Sequence, residues 1–211
     1  DELETTPNYI QAEIGAPRIT ALLPALVKQQ GKSLAKLRGA MGMDPLGHLA
    51  RCGHLPRDLN GVYAAMAELT TWAKANAPQL QIMTVQGHPY HNGGASTTQE
   101  LAFALATAVD YLRAMLERGL SIDDTAPRIR FSLSVGSNFF MEIARLRAAR
   151  VLWAKIVAAF GGNAESQKMR VHARTSAWNQ TLCDAHVNLL RGTTEAFSAV
   201  VGGCDSLHVS P

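Results

Sequence analysis

The sequence has few cysteines and few aromatic residues, and neither sign of charge dominates. Only three cysteines occur, Cys52, Cys183 and Cys204, and their spacing provides neither a disulfide framework nor a Cys-x-x-Cys metal site. The formal net charge is +3, with 20 basic and 17 acidic side chains spread along the chain, so no basic tract indicates a nucleic-acid partner. We therefore expect reduced thiols and a cytoplasmic protein that binds no nucleic acid.

Long apolar runs and a targeting leader are also lacking. The longest apolar stretch, residues 101–112, is interrupted by Thr107 and Asp110 and is shorter than the roughly 20 residues that cross a bilayer. Residues 1–7 are acidic and polar, unlike a signal peptide. We expect a soluble protein with no membrane association, and we interpret the missing initiator Met as a sign that the sequence is part of a longer chain.

The sequence instead contains a repeated alternation of short strands and long helices. Residues 1–17 have no clear period and are interpreted as an irregular lead-in, followed by one domain at 18–211. Helices are predicted at 18–30, 59–76, 97–118, 138–160 and 184–201, and strands at 37–43, 80–85, 129–135, 169–174 and 206–209. Alternation of this kind is typical of βαβ crossovers and a parallel sheet.

Two α/β architectures fit this alternation, an open doubly wound sheet and a closed barrel. No Gly-x-Gly-x-x-Gly dinucleotide turn follows an early strand, which favours the barrel. Five strands cannot close an eight-stranded barrel. The predicted fold is therefore a partial (β/α)8 TIM-type barrel of about five parallel strand/helix units.

Functional side chains of a parallel barrel lie where strands end. The glycine-rich loop at 87–94 carries His88, Tyr90, His91 and Asn92, which could bind a metal or shuttle protons. No acidic residue lies within this loop, and the two histidines have no metal-ligand spacing. A polar loop packed on a neighbour is the favoured interpretation. We predict no metal site and keep His91 as the only catalytic candidate.

Arginines form the second group of interest. Strand alternation predicts Arg128 and Arg130 on one face of the same strand, and Arg174 ends the next strand. If that face is interior, these cations need carboxylates or a bound anion. The alternative is a solvated strand end. Arg145, within the helix at 138–160, is interpreted as an ion-pairing residue on the solvent-exposed surface.

Several blocks of sequence carry a family resemblance. They read Ala-Pro-Arg-Ile-Arg-Phe at 126–131, Gly-Ser-Asn-Phe-Phe-Met-Glu-Ile-Ala at 136–144, Leu-Arg-Ala-Ala-Arg at 146–150, Thr-Ser at 175–176 and Thr-Glu-Ala at 194–196. From about Gly15 onward the chain resembles the substrate barrel of the methylmalonyl-CoA mutase family. The resemblance implies a barrel around a CoA ester, with adenosylcobalamin held by a separate Rossmann-like domain that this sequence does not contain.

The resemblance also implies which catalytic groups are replaced. The Gly-Tyr-His loop of catalytic chains falls on 87–89, so Pro89 takes the place of the catalytic histidine. Asn92 falls where a cobalamin-contacting glutamate is expected. Arg130 replaces a substrate-contacting serine, and Arg174 replaces a glutamine near cobalamin.

A further strand end shows the same departure. Ala40 and Gly42 stand where the catalytic pattern has threonine and glutamine. Arg128 is the one contact retained. A one-residue gap would instead align Tyr90 and His91 with the catalytic Tyr-His pair, without restoring the other groups.

These departures predict a small, non-catalytic subunit of a mutase that interconverts methylmalonyl-CoA and succinyl-CoA. The chain is expected to bind no cofactor itself, with adenosylcobalamin present in the holoenzyme, and to support a catalytic large subunit. Arg130 and Arg174 are expected to fill the former pocket, and the isolated fragment to self-associate. One alternative is an active cobalamin-dependent acyl-CoA mutase of altered preference that uses His91. The other is a stand-alone anion-binding module.

Overall fold

The computed structural model describes residues 6–210 and divides into two compact units. The first unit contains the chain up to Val85 together with Ala108–Arg130. The second contains Gln86–Thr107 and the residues from Phe131 onward. Parallel strands alternate with helices in both units.

The strands of the described residues are β1 (Asn8–Tyr9), β2 (Gly39–Met43), β3 (Leu80–Gln86), β4 (Ile129–Val135), β5 (Arg170–Thr175) and β6 (Ser206–His208). The helices are α1 (Ala16–Gln29), α2 (Pro45–Cys52), α3 (Leu59–Asn76), α4 (His88–Asn92), α5 (Thr97–Leu116), α6 (Ile122–Thr125), α7 (Phe139–Ala159) and α8 (Ala185–Val201). Short 3-10 turns occupy Glu13–Gly15, Leu34–Lys36 and Ala126–Arg128.

The strands of the first unit lie side by side in chain order. β1 pairs with β2 and β2 with β3, both in parallel. A glycine at Gly39 is required for the first pairing, because a Cβ there would lie 1.7 Å from the carbonyl oxygen of Asn8. Met41, Met43 and Met83 are nearly inaccessible to solvent and belong to the core.

The second unit continues the same arrangement. β5 pairs in parallel with β6, with Arg174 opposite His208. Phe131 of β4 lies against Trp153 of α7, with ring centroids 4.9 Å apart and an edge-to-face geometry. Leu152 of the same helix is exposed.

Six parallel strands alternating with helices confirm the predicted class, a partial parallel α/β barrel. Regular structure begins earlier than predicted, because β1 and the first two residues of α1 lie within the lead-in. Strand β2 is followed directly by α2, with Asp44 as the N-cap and Pro45 as the first helical residue. The Asp44 carboxylate accepts a hydrogen bond from the Gly47 N–H at 3.0 Å, and Pro45 occupies the first helical position.

Arg128 is placed differently from the prediction. It belongs to the 3-10 turn before β4, so it does not share a strand face with Arg130. Its guanidinium donates to the carbonyl oxygens of Ala77 and Leu80, at 3.2 and 2.7 Å, within the first unit. Arg128 therefore binds the backbone at the amino end of β3.

Among the described residues, no helix is long and apolar enough to cross a membrane.

Candidate functional site

The carboxyl ends of the strands in the second unit carry a buried set of charged side chains. We call it the Arg145 cluster, and it consists of His91, Glu100, Glu142, Arg145 and Ser176. Glu100 and Arg145 come from the inward faces of α5 and α7, and both are almost completely buried. The cluster occupies the position in the fold at which parallel α/β proteins place their functional groups.

Arg145 lies between two carboxylates. Its Nη1 is 2.5 Å from Glu100 Oε2 and its Nη2 is 2.5 Å from Glu142 Oε2. Nη2 also donates to the carbonyl oxygen of Ser134, and the Ser134 N–H donates to Glu100 Oε1 at 2.8 Å. These bonds attach α5 and α7 to β4 through one guanidinium.

A glycine makes room for this arrangement. A Cβ at position 87 would lie 2.2 Å from Glu100 Oε1, so any larger residue would displace the carboxylate. The Gly87 N–H donates to the carbonyl oxygen of Ser132 at 2.7 Å, which holds the glycine beside β4. The loop that carries His91 therefore starts directly against Glu100.

The two carboxylates bound by Arg145 differ in their pKa. Burial alone would raise the pKa of Glu100, but the adjacent His91 and Arg145 side chains hold it below its ordinary value. Burial raises the pKa of Glu142, and the neighbouring Glu100 charge adds to the effect although Arg145 opposes it. One guanidinium cannot neutralise two buried carboxylates. Glu142 is therefore the member of the pair that takes up a proton more readily.

Ser176 connects the cluster to α8. The Ser176 N–H donates to Glu195 Oε2 at 3.0 Å, and Asn179 Nδ2 donates to Glu195 Oε1 at 2.6 Å. Burial raises the pKa of Glu195 as well. The turn after β5 is thus held by Glu195, a third buried carboxylate.

His91, Ser176 and Glu100 stand in the order of a hydrolytic triad. His91 Nε2 and Ser176 Oγ share a hydrogen bond of 2.7 Å, and His91 Nδ1 lies 3.5 Å from Glu100 Oε2, an ion-pair distance without a well-formed hydrogen bond. Ser176 is only 2% exposed, and its Oγ also accepts a hydrogen bond from the Trp178 N–H at 3.1 Å. The hydroxyl is thus bonded to both the His91 ring and the Trp178 N–H, and this arrangement fixes the loop in place.

Other residues predicted for the site lie in the second unit without joining the cluster. Pro89 is in the first turn of α4, and Asn92, at the end of that helix, is exposed. The Tyr90 hydroxyl lies 2.9 Å from Thr107 Oγ1, and its ring packs against Phe103 of α5. Arg174 is half-buried near the end of β5.

The remaining predicted residues lie in the first unit. Ala40 and Gly42 are buried in β2. Gly42 has a φ of +66°, and a Cβ there would lie 2.8 Å from the carbonyl oxygen of Ile10. The guanidinium carbon of Arg130 lies 3.7 Å from the centre of the Tyr9 ring, a cation–π contact.

The sequence reasoning missed Glu100 and assigned Arg145 to the wrong environment. Arg145 forms ion pairs as predicted, but it is buried, and the prediction of an exposed surface position was wrong. A signal was present in the helical period. Glu100 lies four residues before the buried Ala104, and Arg145 lies four before the buried Ala149. A charged residue at the helical spacing of buried core positions is itself expected to be buried. A buried charge in turn indicates a partner of opposite charge.

Metal chemistry finds no support in this part of the chain. Within residues 6–210, no group of three or more His, Cys, Asp or Glu side chains is placed to hold a metal ion. The ion pairs of Arg145 and the raised pKa of Glu142 indicate charge pairing and proton uptake as the chemistry of the Arg145 cluster.

Comparison with known proteins places the chain in a family. Residues 2–211 match the family described as methylmalonyl-CoA mutase. The methylmalonyl-CoA mutase small subunit of Streptomyces virginiae is 38% identical over 209 residues, which are 99% of this chain and 33% of that protein. The methylmalonyl-CoA mutase of Escherichia coli (strain K12) is 35% identical over 200 residues, covering 90% of this chain and 28% of that protein.

Large subunits are also similar. The methylmalonyl-CoA mutase large subunit of Propionibacterium freudenreichii subsp. shermanii is 41% identical over 146 residues, which are 69% of this chain and 20% of that protein. The chain thus spans a third or less of the length of these relatives. With its family matched along nearly its whole length, the chain belongs to the methylmalonyl-CoA mutase family.

Proposed function

We propose that the chain is part of a non-catalytic small subunit of a methylmalonyl-CoA mutase-type isomerase, and that it supports a catalytic large subunit. The holoenzyme interconverts methylmalonyl-CoA and succinyl-CoA with adenosylcobalamin, which this chain itself does not bind. The observation that carries the proposal is the presence of Gly42, Pro89, Asn92, Arg130 and Arg174 at positions where the family resemblance implies catalytic or cofactor-contacting groups.

The backbone at Gly42 supports this proposal. A glutamine at this position would have to adopt a left-handed conformation, with its Cβ 2.8 Å from a backbone oxygen. The single substitution Gly42→Gln therefore cannot restore the contact, because the backbone of residues 10 and 11 occupies the space that the side chain would need. We infer that the strand end has adapted to the loss of the side chain.

The state of His91 weighs against the first alternative, an active mutase of altered preference. A catalytic base needs access to its substrate. His91 has a side chain only 14% exposed, with Nε2 bonded to Ser176 and Nδ1 facing Glu100. We infer a structural role for His91, in which it anchors α4 to the turn after β5.

The arginines bear on the second alternative, an anion-binding module. Arg130 is 5% exposed, and its guanidinium stacks on the Tyr9 ring, a contact that favours the charged form of the side chain. Filling of the former pocket by Arg130 and Arg174 stays a prediction. The stacking favours a role in which Arg130 fills space, and it disfavours a role in which Arg130 binds an anionic ligand.

An exposed apolar face on α8 supports the presence of a partner, or of a further part of the mutase, beside this helix. Five large apolar side chains of this helix are exposed, namely Leu189, Leu190, Phe197, Val200 and Val201. They share the outward side of α8, which carries few charges. Apolar surface of this extent is typical of a covered face, and we propose that assembly with the remainder of the mutase covers it.

Isothermal titration calorimetry of the full-length chain with adenosylcobalamin and with methylmalonyl-CoA tests the proposal. We expect no isotherm below the high micromolar range for either compound, since the contacting groups are replaced. The large subunit, titrated in parallel, is the positive control. A nanomolar or low-micromolar isotherm with the chain alone would contradict the proposal and favour the active-mutase alternative.

A further inference from the structure

A cavity of about 560 Å³ lies in the first unit, beside the carboxyl end of β2. Its floor is apolar and includes the buried side chains of Met43 and Val62. This volume falls within the roughly 300–1,000 Å³ of small-molecule sites. None of the residues that carry the mutase resemblance at the strand ends lines the cavity.

Two arginines stand at the rim of this cavity. Arg18 is in the first turn of α1, and Arg57 lies in the loop before α3. Both are exposed, and neither takes part in an ion pair or hydrogen bond within the described residues. Glu68 of α3 is the one acidic lining residue. The rim therefore has an excess of positive charge, in the residue type best suited to bind carboxylate and phosphate groups.

The wall of the cavity is held in an uncommon backbone conformation. Glu13 has a φ of +48° and is the only described residue other than glycine with a positive φ. Its Oε2 is 2.9 Å from His48 Nδ1 and 2.5 Å from Arg51 Nη2, both on α2. The next two residues, Ile14 and Gly15, line the cavity. A strained residue held by two partners is typical of ligand-binding segments.

An apolar depression of about 370 Å³ continues the cavity along α1 and α3. The two share Pro17, Ala65 and Glu68 in their lining. Thr20 lines the depression, is 2% exposed, and its Oγ1 has no hydrogen-bond partner among residues 6–210. A buried hydroxyl without a partner costs free energy unless a bound molecule satisfies it.

We propose that this cavity and the depression beside it form a binding site for a small amphipathic organic anion. The carboxylate or phosphate head lies at Arg18 and Arg57, and the apolar tail lies along the depression with one polar atom at Thr20. This site is independent of the proposed subunit function, because it shares no residue with the replaced catalytic positions.

Calorimetric titration of the full-length chain with octanoate, octyl phosphate, neutral octanol and inorganic phosphate tests the site. We expect the two amphipathic anions to bind with dissociation constants below about 1 mM, and both octanol and inorganic phosphate to bind at least tenfold more weakly. The stronger of the two anions identifies the head group. Equal affinity for octanol and octanoate, or no binding by either anion, would overturn the proposal.

Two variants separate the roles of charge and space. The double variant Arg18→Ala/Arg57→Ala should weaken binding of the anions about tenfold, the loss expected when charge-assisted hydrogen bonds at an exposed rim are removed. Ala65→Leu should weaken binding by filling the volume shared by the two cavities. Arg147→Ala is the matched control, because Arg147 of α7 is exposed and has no ion-pair or hydrogen-bond partner in the described part of the chain. An equal effect of Arg147→Ala, or unchanged affinity in either test variant, would refute the assigned site.

Discussion

Replacement of Glu100 by glutamine tests the energetic importance of the Arg145 cluster. The substitution keeps the shape of the side chain and removes a charge that is fully buried and 2.5 Å from Arg145 Nη1. Breaking a buried ion pair costs about 3–5 kcal/mol. Because Arg145 keeps Glu142 as a second partner, we expect the lower end, a loss of about 3 kcal/mol in the free energy of unfolding at pH 7.

The pH dependence of this loss gives the prediction a sign. The pKa of Glu100 is lowered in the folded state, so its stabilisation is present above the unfolded pKa of about 4.3 and is lost as the pH falls through the folded value. Urea unfolding of wild type and Glu100→Gln should therefore show a difference that is constant near neutral pH and shrinks below about pH 4.

A matched control is the exposed pair of Glu165 and Lys168. Glu165→Gln removes the same charge from a solvated site, and we expect a change below about 1 kcal/mol. If Glu100→Gln destabilises the chain no more than Glu165→Gln does, the cluster does not contribute in the way the structure indicates.

Two further predictions follow from the buried charges. Burial raises the pKa of Glu142 in the folded state, so the free energy of unfolding of the wild type should fall as the pH rises from about 4.3 through the folded pKa. Urea unfolding of Glu142→Gln should show a smaller fall over this pH range. An equal fall in wild type and variant would contradict the direction of the pKa shift. The 3.7 Å contact of Arg130 with the Tyr9 ring predicts a coupling free energy of about 1 kcal/mol in a double-mutant cycle with Tyr9→Leu and Arg130→Leu. Tyr9→Phe keeps the aromatic ring and should keep the coupling. A coupling of zero would exclude the cation–π contribution.

The long periodic elements of the fold could be predicted from sequence. The helix Leu59–Asn76 and the strand Ile129–Val135 have the predicted bounds, because their apolar positions keep one period over many residues. The short elements β1, α2 and α4 were not predicted. Two to eight residues provide too few periods, and these elements depend on long-range pairing or on a cap such as Asp44.

The candidate site was only partly accessible to sequence reasoning. His91 stood out as a polar residue on a glycine-rich loop, but its partners Glu100 and Ser176 come from elements separated from it by 9 and 85 residues. Which side chains meet is decided by tertiary packing, and a single sequence does not contain that distance information. Arg145 was misplaced for the same reason, since its helix carries both buried and exposed arginines.

Co-expression of the full-length chain with the large mutase subunit tests the proposed support role most directly. Size-exclusion chromatography should show one heterodimer, through an interface above the roughly 1,000 Å² of specific complexes. Mutase activity should be present in the heterodimer and absent from this chain alone, and the large subunit should lose stability or activity without its partner. If the chain elutes as a monomer, and the large subunit is equally active and stable alone, the proposed function is wrong.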